Sequence, residues 1–179
     1  MNKSLLIFAL FGIGIYLTIK NQKEAGKYQL PENLTYNEID EMAKQALRRG
    51  ERLNNPLNIE KSANAWQGLA PSQPDSRFAS FVSADYGIRA GTKILNTYYN
   101  KYNLKTIRAI INRYAPSVEN DTNSYVNQVA KNSGIGADSV FQFNEANLFA
   151  IVKAMIKHEQ GRIIYPDAVI RYGVSLGFK

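Results

Sequence analysis

The sequence predicts a mainly α (α+β) protein: one membrane-spanning helix, a polar linker, and a helical domain carrying a small β-like lobe. Three observations predict it. An uncharged apolar run opens the chain, apolar residues recur at helical spacing through most of the remainder, and the stretch 52–82 breaks that period with Asn, Pro, Gly and Ser. Residues 1–20 are assigned to a transmembrane anchor, 21–33 to a linker and 34–179 to the folded domain.

The anchor rests on SLLIFALFGIGIYLTI, residues 4–19, sixteen positions without a charge. A spanning helix needs roughly 17 to 25 residues, and Lys3 and Lys20 at the two ends extend the reach by snorkelling. Contact with a lipid membrane through residues 4–19 follows. A cleaved signal peptide fits less well, because Lys20, Asn21, Gln22 and Lys23 come next and supply no small-x-small cleavage site. Lysines on both flanks leave the orientation open.

The domain reads as successive helices. Thr35 and Glu38 form a capping box with a Leu34/Ile39 staple, and Ile39, Met42, Ala43, Ala46 and Leu47 share one face up to a stop at Gly50. After the irregular lobe, in which only RFASFVS suggests a strand, a helix is expected from about Ala84 to Tyr99 along Ile88, Gly91, Leu95 and Tyr99. Thr106 caps Ile107, Ile110, Ile111, Tyr114 and Ala115, with Pro116 as terminator. Asn120 or Asp121 caps Tyr125, Val126, Val129 and Ala130, ended by Gly134. Asn144 opens a helix with Leu148, Ile151, Val152, Met155 and Ile156, closed near Gly161. Pro166 starts a last helix towards Leu176.

Composition narrows the function classes. Cysteine is absent, so disulfides and Cys-based chemistry are excluded, and the net charge is +7. Residues 1–27 hold four lysines against one glutamate, and the remainder carries 18 basic against 14 acidic side chains. That balance is too even to point to nucleic acid. His158-Glu159 begins a zincin-like pair, but His158 is the sole histidine, which excludes a zinc peptidase and, with no nucleophile-elbow pattern, argues against a Ser-His-Asp triad. No metal or cofactor is expected, and Glu159 is expected to tie its helix end to another loop.

The stretch Glu51-Arg52-Leu53-Asn54-Asn55-Pro56 matches the E-x-x-x-N-P spacing of lytic transglycosylases. With WQGLA, the Phe78/Phe81 pair, YGIRAG, VENDTNSY and KHEQG in order, the chain from about Gln45 to Gly177 resembles phage lysozyme-like proteins, several of them virion components. It departs from their pattern at Leu57, where a glycine is common, and in lacking a glutamine after Leu69. The resemblance implies a lysozyme-like fold in which Glu51 is the general acid.

Cleavage of a β-1,4 glycosidic bond needs a protonated carboxyl beside the leaving oxygen, and burial near apolar groups favours the protonated form. Trp66 offers such a neighbour, while Arg48, Arg49 and Arg52 favour the charged form. The plainer alternative is that Glu51 pairs with an arginine at a helix end. In a transglycosylase the same glutamate serves as acid and base and the sugar's own C6 hydroxyl closes a 1,6-anhydro ring. A hydrolase needs a second carboxylate, for which Asp75 and Glu119 are the candidates, each also readable as a turn or cap residue. Asn55, Trp66, Gln67, Tyr114 and Tyr125 are the substrate-binding candidates. The helical spacing of Tyr114 favours core packing over a cleft role, and Trp66 could equally stack on a sugar ring or fill the lobe.

The expected function is a membrane-anchored, peptidoglycan-cleaving enzyme, a lytic transglycosylase or muramidase acting on the MurNAc-GlcNAc bond. Its place would be a virion's internal membrane or the bacterial envelope, with a role in phage penetration of the cell wall. A cell-wall endopeptidase and a non-catalytic glycan-binding virion protein on the same fold are the alternatives.

Overall fold

Local capping chemistry sets several helix boundaries. In the computed structural model, which describes residue 35 and residues 47–116, 121–163 and 165–179, the elements are α1 (Arg49–Arg52), α2 (Ala84–Asn96), a π-helical turn (Thr97–Lys101), α3 (Ile107–Tyr114), α4 (Thr122–Ser133), α5 (Glu145–Gln160) and α6 (Asp167–Phe178). The apolar run 4–19, the linker 21–33, nearly all of the helix expected from Thr35, and Glu119 lie outside the described residues. Among the described residues no helix is long and apolar enough to cross a membrane.

Thr106 Oγ1 accepts from Ala109 N, Asp121 Oδ1 from Ser124 N and Asn144 Oδ1 from Asn147 N, each satisfying an otherwise orphaned first-turn donor. Gly134 and Gly161 end α4 and α5 at φ values of 74° and 68°, a left-handed conformation that glycine adopts without a Cβ clash. Pro166 precedes the first residue of α6 rather than lying inside its first turn, and α6 runs on to Phe178.

Leu53–Lys179 make one compact unit. α2 and α6 are its most extensively packed pair, α5 lies against α4, α6 and α2, and α3 against α4. The close approach of α6 to α2 requires glycine, since a Cβ on Gly173 would come within 2.7 Å of Asp85 O and of Ile88. Leu57, Phe81, Ile88, Leu95, Ile110, Val126, Leu148, Ile151 and Met155 belong to a single buried core. Removing these side chains from water is the main favourable term, about 1.5 to 3 kcal/mol for each large one.

The expected β-like lobe contains paired backbone but only isolated bridges. RFASFVS is indeed the pairing segment: Phe78 bridges Glu60 and Phe81 bridges Leu69, both antiparallel. Side chains complete what the short backbone ladders leave unmet. Gln73 Nε2 donates to Ala70 O and Ser80 O while its Oε1 accepts from Ser80 N. Asp75 Oδ1 accepts from Arg77 N and Phe78 N.

Two boundaries depart from the periodicity. Gly50 lies inside α1 instead of stopping a helix. The helix expected to reach Tyr99 ends at Asn96, where the backbone widens into the π turn, marked by a bond from Tyr102 N to Thr97 O.

An aromatic and cationic cleft

Glu51 belongs to the segment that precedes the Leu53–Lys179 unit. It is buried at 6% exposure, and its Oε2 accepts a 3.0 Å hydrogen bond from Arg48 N. Arg48 is the residue before α1 and Glu51 the third residue in it, so the carboxylate reaches back to the cap amide as the glutamate of a capping box does. This corrects the expected setting. Glu51 occupies the single turn of the four-residue helix Arg49–Arg52 and not the carboxyl end of a long one. Arg52 is engaged within the same segment, donating to Leu47 O.

Within the Leu53–Lys179 unit, a cleft of about 610 Å³ opens between the lobe, the end of α2 with the π turn, and the end of α3. The lobe contributes Asn58, Ile59, Glu60, Lys61, Ser62, Asn64 and Trp66; the opposite wall contributes Ile94, Thr97, Tyr98, Tyr102, Arg113 and Tyr114. The widened turn divides its tyrosines: Tyr99 donates to Phe141 O and packs on Phe141 and Phe143, whereas Tyr98 and Tyr102 join the cleft wall with ring centroids 6.3 Å apart. The Arg113 guanidinium lies 4.0 Å from the Tyr102 centroid and 5.2 Å from that of Tyr98. Burial raises the Tyr98 pKa, opposed by the positive charge of Arg113.

Trp66 and Tyr114, two of the expected binding residues, do meet in this cleft. The Trp66 indole Nε1 is enclosed and has no hydrogen-bond partner among the described residues. Tyr114 donates a 2.6 Å hydrogen bond to Leu57 O. Enclosure of its hydroxyl, reinforced by the negative charge of Glu159, pushes its pKa well up, so it remains a neutral donor.

The other expected residues have different positions. Asn55 is fully buried, and its amide is consumed by Ile59 O, Ala79 O and Ile59 N at 2.8 Å each, so it builds the loop instead of meeting a ligand. Tyr125 is also buried, its ring stacked on His158 with centroids 3.7 Å apart, and cannot reach a substrate. Gln67 is exposed in the turn before Gly68 and is not among the cleft-lining residues. Asp75 is occupied by its turn. The cleft-lining carboxylate is instead Glu60, which Arg77 engages through Nε at 2.8 Å and through Nη2. A metal-type cluster of His, Asp and Glu is absent among the described residues.

Sequence reasoning missed Tyr98, Tyr102, Arg113 and Asn58. The tyrosine-rich run YYNKY at 98–102 was a usable signal for the first two. Asn58, like Asn54, has a positive φ, 50° and 51° respectively, which asparagine tolerates better than other side-chain-bearing residues.

The fold and cleft define a mainly helical protein with a groove of aromatic rings, amides, hydroxyls and cations. No family model matches the chain. It is 41% identical over 133 residues to Protein P5 of Pseudoalteromonas phage PM2, a span covering 73% of this chain and 82% of the phage protein. The chain belongs to the family of that phage protein.

Proposed function

We propose that the chain is a phage peptidoglycan-cleaving protein of lysozyme-like fold, held to a membrane by residues 4–19, with Glu51 as its proton donor. The cleft carries this reading. Trp66, Tyr98, Tyr102 and Tyr114 are suited to the C–H faces of sugar rings, and the lobe's polar residues to hydroxyl and acetamido groups. Additional support comes from the burial of Glu51 just before the Asn55–Pro56 loop and from kinship with a phage protein. The partner is then a cell-wall glycan, and the place of action the virion membrane or the bacterial envelope.

Lytic transglycosylase chemistry is preferred to hydrolysis. In that route Glu51 protonates the leaving oxygen and then removes the proton from the sugar's C6 hydroxyl, which closes the anhydro ring. Hydrolysis would require a second carboxylate, and of the two candidates expected for it Asp75 is taken up by a turn. Glu119 lies outside the described residues, and the cleft-lining Glu60 is already held by Arg77.

The test is digestion of purified peptidoglycan by the full chain in mild detergent, with products read by mass spectrometry. We expect 1,6-anhydro muropeptides that disappear with Glu51→Gln. Reducing ends carrying an added water would replace the transglycosylase with a hydrolase, and new amino groups without new sugar ends would replace both with a peptidase. Intact peptidoglycan would sink the enzymatic reading and leave a glycan-binding virion protein.

A further inference from the structure

The charges in the cleft do not balance. Its carboxylate, Glu60, is neutralised from outside the lining by Arg77. Its two cations have no carboxylate partner among the described residues. Lys61 Nζ donates only to Gln73 O at 3.2 Å, and Arg113 lies against the faces of Tyr98 and Tyr102. Arg113 also has the Tyr98 hydroxyl as a hydrogen-bonding neighbour, but a guanidinium carries five N–H donors, more than one hydroxyl can take, and the remaining donors suit a carboxylate's two oxygens.

We propose that Arg113, assisted by Lys61, selects glycans bearing a carboxylate over neutral ones of the same backbone. This rests on the glycan reading above and goes further by specifying the ligand's charge. The carboxylate has two sources: the lactyl group of an unsubstituted muramic acid, or the peptide joined to it. Rings on the wall hold the sugar, and the guanidinium reads the acid.

Binding is measured by calorimetry on the full chain carrying Glu51→Gln, to prevent turnover. The probes are a β-1,4 N-acetylglucosamine oligomer, an equally long oligomer alternating with muramic acid, and the latter with its peptides attached. We expect at least one acidic probe to bind about tenfold tighter than the neutral one, as a charge-assisted contact provides. A preference for the second probe assigns the lactyl carboxylate, and for the third alone the peptide.

Arg113→Gln should collapse the acidic-to-neutral ratio towards one, and Arg113→Lys should retain part of it, with circular dichroism verifying the fold of both. Equal binding of neutral and acidic probes would overturn the proposal while leaving a glycan cleft intact. A preference that survives both Arg113→Gln and Lys61→Gln would overturn it as well. Failure of every glycan to bind, or displacement by a short oligonucleotide instead, would overturn both this proposal and the glycan reading.

Discussion

Asn58 donates a 2.7 Å hydrogen bond from Nδ2 to Glu159 Oε2, joining positions 101 residues apart. The next residue, Gln160, is buried and donates to Pro56 O at 2.8 Å. The end of α5 therefore clamps the loop that leads from Pro56 into the cleft, as expected for Glu159 from its place at a helix end. Asn58 lines the cleft directly, so a contact made behind the wall shapes its surface.

Asn58→Asp should break this clamp by repulsion. Two carboxylates would face each other where an amide now donates, and we expect a loss of about 1 to 3 kcal/mol in unfolding free energy near pH 7.5. Acidification relieves the repulsion once one carboxyl takes a proton, so the deficit relative to wild type should shrink towards pH 4. Urea melts of both proteins at the two pH values would reveal it; a deficit independent of pH would mean that the variant carboxylate has moved away.

Asn55 offers a sharper stability test. Asn55→Ala removes three hydrogen bonds, taking from Ile59 N this acceptor and from Ala79 O this donor while Ile59 O still accepts from Ala79 N, at a cost of about 2 to 4 kcal/mol. Asn55→Asp is expected to cost more, because an acceptor would then face Ile59 O and Ala79 O. Chemical denaturation ranks the pair. An aspartate variant as stable as the alanine variant would show that the loop can rebuild around it.

His158 gives the protein an acid-sensitive contact. Burial against Tyr125 lowers its pKa below the ordinary histidine value of 6.5, with Glu159 and Asp121 opposing in part. The unfolded chain therefore takes up this proton at a higher pH than the folded one. The contribution to stability is fully present above pH 6.5 and is lost as pH falls through the lowered folded value. His158→Phe keeps a ring for stacking and removes the titration, so its melting temperature should drop less than that of wild type between pH 7.5 and pH 5. Parallel curves would remove His158 as the cause.

Glu60→Gln separates the two glycosidic routes. Glu60 is the cleft-lining carboxylate, so loss of nearly all activity with Glu60→Gln would favour hydrolysis. Under the transglycosylase reading we expect a change of less than about tenfold in rate, traceable to the lost pair with Arg77. Initial rates of anhydro-muropeptide formation, compared at equal protein, decide between them.

By itself the sequence determined the local structure of the helical part. Thr106, Asp121 and Asn144 cap their helices with their own side chains, and Gly134 and Gly161 end theirs by adopting positive φ, so these boundaries depend on neighbours a few residues away. The apolar faces at Ile107–Ile111 and Leu148–Ile156 likewise declared their burial by spacing. Tertiary structure alone decided the cleft. Trp66 comes from the lobe, Tyr98 and Tyr102 from a widened turn, and Arg113 and Tyr114 from the end of α3, and nothing in their spacing brings them together. The amide of Asn55 could have pointed to a ligand until Ala79, 24 residues away, claimed it. Glu51 was readable as a buried acid candidate, yet its place in a separate first turn, bonded to Arg48 N, was not. Capping and periodicity act over one or two helical turns, whereas binding surfaces are assembled by long-range packing, which local pattern does not encode.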